Sequence, residues 1–371
     1  MKYLRSKRAP YAVPALVVVA VGAVAAGPAL SSATPPPLPA QTPQQLLVDM
    51  AHAQAPELSG SVALTANLGF PDLSSLEGEL GQSGGGGFNP LNLLAGSNQF
   101  DVWLGGGAEH LALSQPAEEI DLVRNGNQVW YWDSSTGVVA HFVAPEHTGG
   151  GTGAPGPATS QPALTPDQLA SGLLAHLAPT TSVTTGGTTD VAGQAAYRLL
   201  VAPKGAGGST VSDIEVDIGA TGALAGVPLQ VAIYAVGQAA PALELGFTGK
   251  LNLGPPAAGE LTFSPPPGAR VVTHDLSSGN GLFDRPGMFG KLDLTHTGTG
   301  WATVVSGAST ALANPTAQAD LNALTSPVQV GGQQARLLSS NLLNVLIMPG
   351  GHFYAGLVTP GTLETDASGG A

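Results

Sequence analysis

The sequence predicts a mainly β protein built from antiparallel strands, as a sandwich or barrel. Three observations carry that reading. Strand-like segments follow residue 180 one after another, separated by turn signals at about the 8–12 residue spacing of such folds. Asn125-Gly126 stands between two alternating runs in EIDLVRNGNQVWYWD (119–133), a strong short-range hairpin signal. Helical periodicity is confined to a few short stretches, two of them opened by Thr-Pro.

Composition bounds what such a protein does. The chain has 371 residues, 43% of them hydrophobic, enough for a sizeable core. Only 10% are charged, against about 25% in an average soluble domain. The 52 glycines and 31 prolines point to many turns and loops. Cysteine is absent, which excludes disulfides, thiolate metal sites, thiol catalysis and an acylated N-terminal cysteine. Four of the twelve basic residues (Lys2, Arg5, Lys7, Arg8) lie in the first eight positions, so eight remain against 25 acidic ones. Such a chain does not hold nucleic acid through phosphate contacts.

The elements follow in order. Residues 1–30 place that basic cluster before an uncharged apolar run, YAVPALVVVAVGAVAAGPAL. This is the pattern of an export signal, or of an uncleaved N-terminal membrane anchor. Both readings put the rest of the chain outside the cytoplasmic membrane, with the charges inside. Residues 31–41 form a proline-rich, extended linker. Thr42 is an N-cap with Pro43 at the first helical position, and Leu46, Leu47 and Met50 form the apolar stripe of a helix ended by Pro56. Residues 58–68 read as a strand with Val62, Leu64 and Ala66 on one face. Residues 74–97 read as a long glycine-rich loop, a gate over a binding face or a plain insertion.

Strands are expected at 98–104, 109–114, on both sides of the 125–126 turn, and at 137–143. A second Gly/Pro-rich insertion (144–163) precedes a helix, TPDQLASGLLAHL, with Leu173 and Leu174 on its apolar stripe. Only strands follow, among them AAYRLLVAP (195–203), PLQVAIYAVG (228–237) and ELTFSPP (260–266). SSGNGLFDRPG lies in a linker (276–290). Residues 291–371 read as a small α+β unit: a strand in GWATVVSG, a helix around 318–324, and two apolar strands joined by a turn at Pro349-Gly350-Gly351.

Two motif matches are coincidental. Gly81-Gln82-Ser83-Gly84-Gly85 spells a serine-hydrolase elbow, and residues 151–156 spell G-x-G-x-x-G. Neither lies between a strand and a helix, as the chemistry requires. The eight histidines are scattered without metal-ligand spacing, and adjacent Glu118 and Glu119 point to opposite faces of a strand. No constellation for acid–base or nucleophilic chemistry survives. The sequence is that of a non-enzyme with no metal and no cofactor.

Trp103, Trp130 and Trp132 are three of the four tryptophans. Trp130 and Trp132 alternate with Val129 and Tyr131, so both rings leave one face of the sheet. They serve either an ordinary core or an aromatic-lined cavity for an apolar ligand. At this point a family resemblance enters. VRNGNQVWYWDSSTGVVAHF (123–142) resembles the signature hairpin of the LolA-like superfamily, and TPDQLASGLL (165–174) its second lid helix. AAYRLLVAPK (195–204) is similar to its Tyr-x-Leu-x-Pro-Lys strand, and LTFSPPPGARVV (261–272) to its closing Phe-x-Pro-Pro-x-Gly segment. The four occur in family order and anchor residues 42–275.

The resemblance implies an exported half-barrel of about eleven antiparallel strands around a hydrophobic cavity, covered by N-terminal and central lid helices. Members bind acyl chains of lipids or lipoproteins, or act as RseB-like envelope sensors with a membrane-anchored partner protein. On that reading the cavity lining is Leu64, Phe100, Val102, Trp103, Leu111, Leu113, Trp130, Trp132 and Phe142. Leu46, Leu47, Leu173 and Leu174 form the lid. The chain departs from the carriers in lacking their lid-latching arginine in QFDVWL, in its two glycine-rich insertions, and in the extra domain that RseB-like sensors also have.

Overall fold

The structure, a computed structural model, describes residues 38–54, 56–70, 93, 95–115, 118–143, 171, 174, 179–205, 207–275, 294–309, 312, 322 and 324–369. Helix α1 (Pro43–His52) begins where the sequence places it. Thr42 Oγ1 accepts from the Gln45 amide, and the Gln45 side chain accepts from the Thr42 amide. This reciprocal cap satisfies two of the amides a helix start leaves unpaired.

The strands of the main sheet are β1 (Leu58–Asn67), β2 (Ala95–Gly105), β3 (Ala108–Gln115), β4 (Glu118–Asn125), β5 (Gln128–Asp133) and β6 (Val138–Val143). The chain then continues with β7 (Thr181–Val191), β8 (Gln194–Pro203), β9 (Val211–Gly219), β10 (Pro228–Ala235), β11 (Leu243–Leu253) and β12 (Arg270–Asp275). All twelve form one sheet in the order β12-β6-β5-β4-β3-β2-β1-β11-β10-β9-β8-β7. Its two edges do not meet. Val191 of the β7 edge shares a buried cluster with Val62 of β1 and Leu251 of β11, although three strands lie between β7 and β11. The sheet is therefore strongly curved, an open half-barrel.

Three local expectations are corrected. The β4–β5 pair closes at Asn125–Gln128, so Gly126 and Asn127 are the loop residues. Gly126 alone has positive φ, 58°, the geometry of a type II′ turn with glycine first. ELTFSPP is not a strand: a 3-10 turn (Ala258–Leu261) leads into an irregular segment. Pro265, Pro266 and Pro267 lack the amides a ladder needs. The strand comes later, as β12, and it runs parallel to β6 where antiparallel pairing was expected.

A second sheet of six strands has the order β13-β14-β18-β17-β16-β15. Its strands are β13 (Thr295–Thr297), β14 (Val304–Ala308), β15 (Ser326–Val330), β16 (Gln333–Ser339), β17 (Asn344–Ile347) and β18 (His352–Gly356). GWATVVSG starts as a 3-10 turn (Gly300–Ala302), and helix α2 (Pro360–Gly369), which the sequence did not signal, packs Leu363 and Ala367 on this sheet. Leu346 of β17 and Val358, two residues past β18, are fully buried in its core. The unit caps one end of the half-barrel. Leu342 and Trp301 pack with Ala66, Leu68, Ile214 and Ile233, and Trp301 Nε1 donates to Thr181 Oγ1 at 2.8 Å. The Asn341 amide donates to the Leu68 carbonyl at 2.7 Å.

The glycine-rich segment 74–97 lies outside the described residues except for Leu93 and the start of β2. So does the central helix except for Ser171 and Leu174, and the 318–324 helix except for Asn322 and Leu324. Among the described residues, no helix is long and apolar enough to cross a membrane.

Candidate functional site: the inner apolar face

Residues paired across an antiparallel ladder share a face, so the register assigns every side chain. One row runs Leu199–Val216–Val231–Leu245–Leu64 across β8, β9, β10, β11 and β1. A second runs Gly60–Val102–Leu111–Leu122–Tyr131–Ala140–Val272 across β1 to β6 and onto β12. Gly60 and Leu64 alternate in phase on β1, so both rows belong to one face. Between them Val62 pairs with Phe247, and Leu113 with Ile120. Neither row contains a charge, and together they cross eleven of the twelve strands.

The two ends of this face are covered differently. Over β8 and β9, Leu46 and Leu47 of α1 bury against Tyr197, Leu199 and Ile218, with Leu174 beside them. Gln44 Nε2 donates to Ser171 Oγ at 3.0 Å, tying α1 to the central segment. Three of the four expected lid residues thus meet in one cluster; Leu173 lies outside the described residues. Over β2 to β4, Phe100, Val102, Leu113 and Ile120 are buried, with Leu64, Leu111 and Tyr131 packed partly against them. In the middle of the second row Leu122 is 41% exposed. Phe142 shares this face, opposite Val129.

Charge is kept to the margins. Arg124 and Glu109 pair at 2.7 Å near the β4–β5 turn, and buried Asp133 near the other end accepts from the Ser135 amide and hydroxyl. Burial, and then the charges of Asp133 and Glu118, push the Tyr131 hydroxyl well above its usual range and keep it neutral.

The tryptophans are not on this face. Trp103 pairs with His110, Trp130 with His141 and Trp132 with Val139, all in the opposite phase from Val102, Leu111 and Tyr131. Trp103, Trp130 and Trp132 therefore do not line a cavity with Leu64, Phe100, Val102, Leu111, Leu113 and Phe142. They sit on the outer face, Trp103 stacked on His110 and Trp130 stacked with both His141 and Phe263. The residues missed in their place are Tyr131, Leu122, Leu245 and Phe247. Their alternation with assigned residues was the available signal.

Elsewhere the outer face is polar. Arg198 holds Asp217 through two bonds of 2.7 Å and Glu215 at 2.9 Å. The Asp217 hydrogen bond raises the Arg198 pKa against the opposing effect of burial, so the guanidinium stays charged. Glu215 and Glu244 are pushed above the usual carboxylate range, chiefly by burial.

A groove of about 1240 Å³ lies apart from all this, between α2 and β13, β14 and β18. Its lining is rich in hydroxyls (Thr295, Thr297, Ser306, Thr365) beside Asp366. Among the described residues, no group of three or more His, Asp or Glu is placed to hold a metal ion.

No family model matches the chain, and no curated protein matches it. Solved structures similar to it include the Pseudomonas aeruginosa MucA/MucB complex, 16% identical at a TM-score of 0.43, covering 87% of this chain and 96% of that one. An uncharacterized conserved protein from Thermus thermophilus is 11% identical at a TM-score of 0.33, covering 62% and 98%. A LolA superfamily protein from Nitrosomonas europaea is 11% identical at a TM-score of 0.22, covering 60% and 99%.

Proposed function

We propose that this chain is an exported, non-enzymatic binding protein that holds an acyl chain of a lipid or lipoprotein against the inner face of the half-barrel. One observation carries the reading: an uncharged row of apolar side chains crosses β1 to β6 and continues onto β12, and Leu122 at its centre is open to solvent. Each methylene moved from water onto such a surface contributes roughly 0.8 kcal/mol, so a chain of ordinary length is held without a polar anchor. The curved sheet supplies a concave support, and α1 closes its β8–β9 end. The resemblance of residues 123–142 and 261–272 to the LolA-like superfamily supports the same reading. The basic cluster and apolar run at the N-terminus support a place outside the cytoplasmic membrane.

The test is photo-crosslinking of the full chain with a phospholipid that carries a diazirine along one acyl chain. Labelled peptides should fall in 98–142, with modification at Leu122 or Tyr131. Labelling confined to the outer face, around Trp103 and Trp130, would contradict the proposal. A lipid-free protein that is unlabelled, yet recovered with a membrane-anchored partner protein, would turn the reading to an RseB-like sensor.

A further inference from the structure

The segment between β11 and β12 crosses the outer face as a strap, covering the side of the sheet that carries the tryptophans. Its ends are fixed by main-chain bonds: the Gly254 amide to the Glu57 carbonyl at 2.8 Å, and the Arg270 amide to the Gly137 carbonyl at 2.9 Å. Between them the strap lies so close to β2 that a side chain at Gly105 would meet Pro256 at 3.0 Å. The sheet reaches it through Asn125 Nδ2, which donates to the Leu261 carbonyl at 3.4 Å, and through His110.

His110 is bonded at both ring nitrogens. Nδ1 lies 2.7 Å from the main-chain carbonyl oxygen of Glu260, and Nε2 lies 3.0 Å from Asp121 Oδ1. A carbonyl and a carboxylate only accept. A neutral imidazole has one N–H and would turn a lone pair toward one of these oxygens. The imidazolium satisfies both.

The sheet contains its own control. His141 is stacked on Trp130 much as His110 is on Trp103, but its partners are the Gln128 amide oxygen at Nε2 and the Thr273 hydroxyl at Nδ1. A hydroxyl donates, so a neutral ring satisfies this site. Burial lowers the pKa of His141. Burial acts in the same direction on His110, but the Asp121 hydrogen bond, the Glu260 carbonyl and the Asp121 charge outweigh it and raise the value.

We infer that protonated His110 is a pH-sensitive latch: its imidazolium clips the 254–269 strap to β3 and β4, and loss of that proton removes one of the ring's two bonds and weakens the clip. The charged groups facing the ring are Asp121 from β4 and Glu260 from the strap. On the same side of the sheet, Asp101 of β2 is held by Ser61 Oγ at 2.6 Å, and Glu57 lies beside Gly105. No cation among them replaces the lost charge. The strap leads directly into β12, whose Val272 extends the inner row, so a weaker clip loosens that edge of the half-barrel. The latch stands whether or not the inner face binds a lipid.

The direction of the pH effect follows from the raised value. Stabilisation by the latch is complete below the ordinary histidine pKa of about 6.5 and is lost as pH rises through the raised value in the folded protein. Nitrogen-15 NMR of the full chain should show both His110 nitrogens protonated at pH 6, with His141 giving up its second proton at a lower pH than His110. Hydrogen exchange at 258–263, corrected for its intrinsic pH dependence, should lose protection above that pH. Each unit of raised pKa corresponds to about a tenfold loss. Asp121→Asn should move the His110 midpoint down by about one unit or more, and the loss of strap protection should move with it. A singly protonated His110 at pH 6 in the wild-type protein would overturn the inference without any variant. So would strap protection that ignores the His110 titration.

Discussion

The two halves of the inner face are made of the same kinds of residue and end differently. Over β8 and β9, Tyr197, Leu199 and Ile218 disappear beneath Leu46 and Leu47. Over β3 to β5, Leu111, Leu122 and Tyr131 are left partly or largely open. The difference lies in what the chain places above each half. A ten-residue helix spans only about 15 Å, and α1 is used up on the β8–β9 end. Among the described residues, the apolar row continues past its cover.

Substitutions sharpen the contrast. Leu199→Ala removes a buried side chain beneath α1 and should destabilise the protein by about 2–5 kcal/mol in denaturant unfolding. Thr42→Ala removes the α1 cap and should cost about 1 kcal/mol, with faster hydrogen exchange confined to α1 and its neighbours on β8. Leu122→Ser, on the open half, should change stability by no more than about 0.5 kcal/mol while reducing recovered lipid. Equal stability losses from Leu199→Ala and Leu122→Ser would erase the distinction between the halves.

Much of this was legible in the sequence. Thr42-Pro43 marks where α1 starts, and the Asn-Gly hairpin and alternating strands define most of the sheet. The missed features have specific physical causes. Alternation shows that Trp130 and Trp132 share a face, but a slip of one residue exchanges inner and outer, and composition alone does not choose between them. The polar residues in phase with the tryptophans, His110, Asp121, Gln128 and His141, were the available sign that this face is not an apolar lining. Residues 260–266 read as a strand because Leu261 and Phe263 alternate, although Pro265, Pro266 and Pro267 lack the amides a ladder needs. Helix α2 has no strong apolar stripe, and Leu363 and Ala367 hold it in a core that also takes Val304, Val330 and Ala335 from earlier in the chain.

The central claim, that the open half of the inner face holds an acyl chain, is tested most directly by mass spectrometry of lipid extracted from the full-length protein after purification without detergent, alongside Leu122→Lys. The account predicts acyl lipid or an acylated peptide bound to the wild-type protein, and strong depletion in the variant with no loss of fold. Wild-type protein free of lipid, or lipid retained equally by Leu122→Lys, would contradict it.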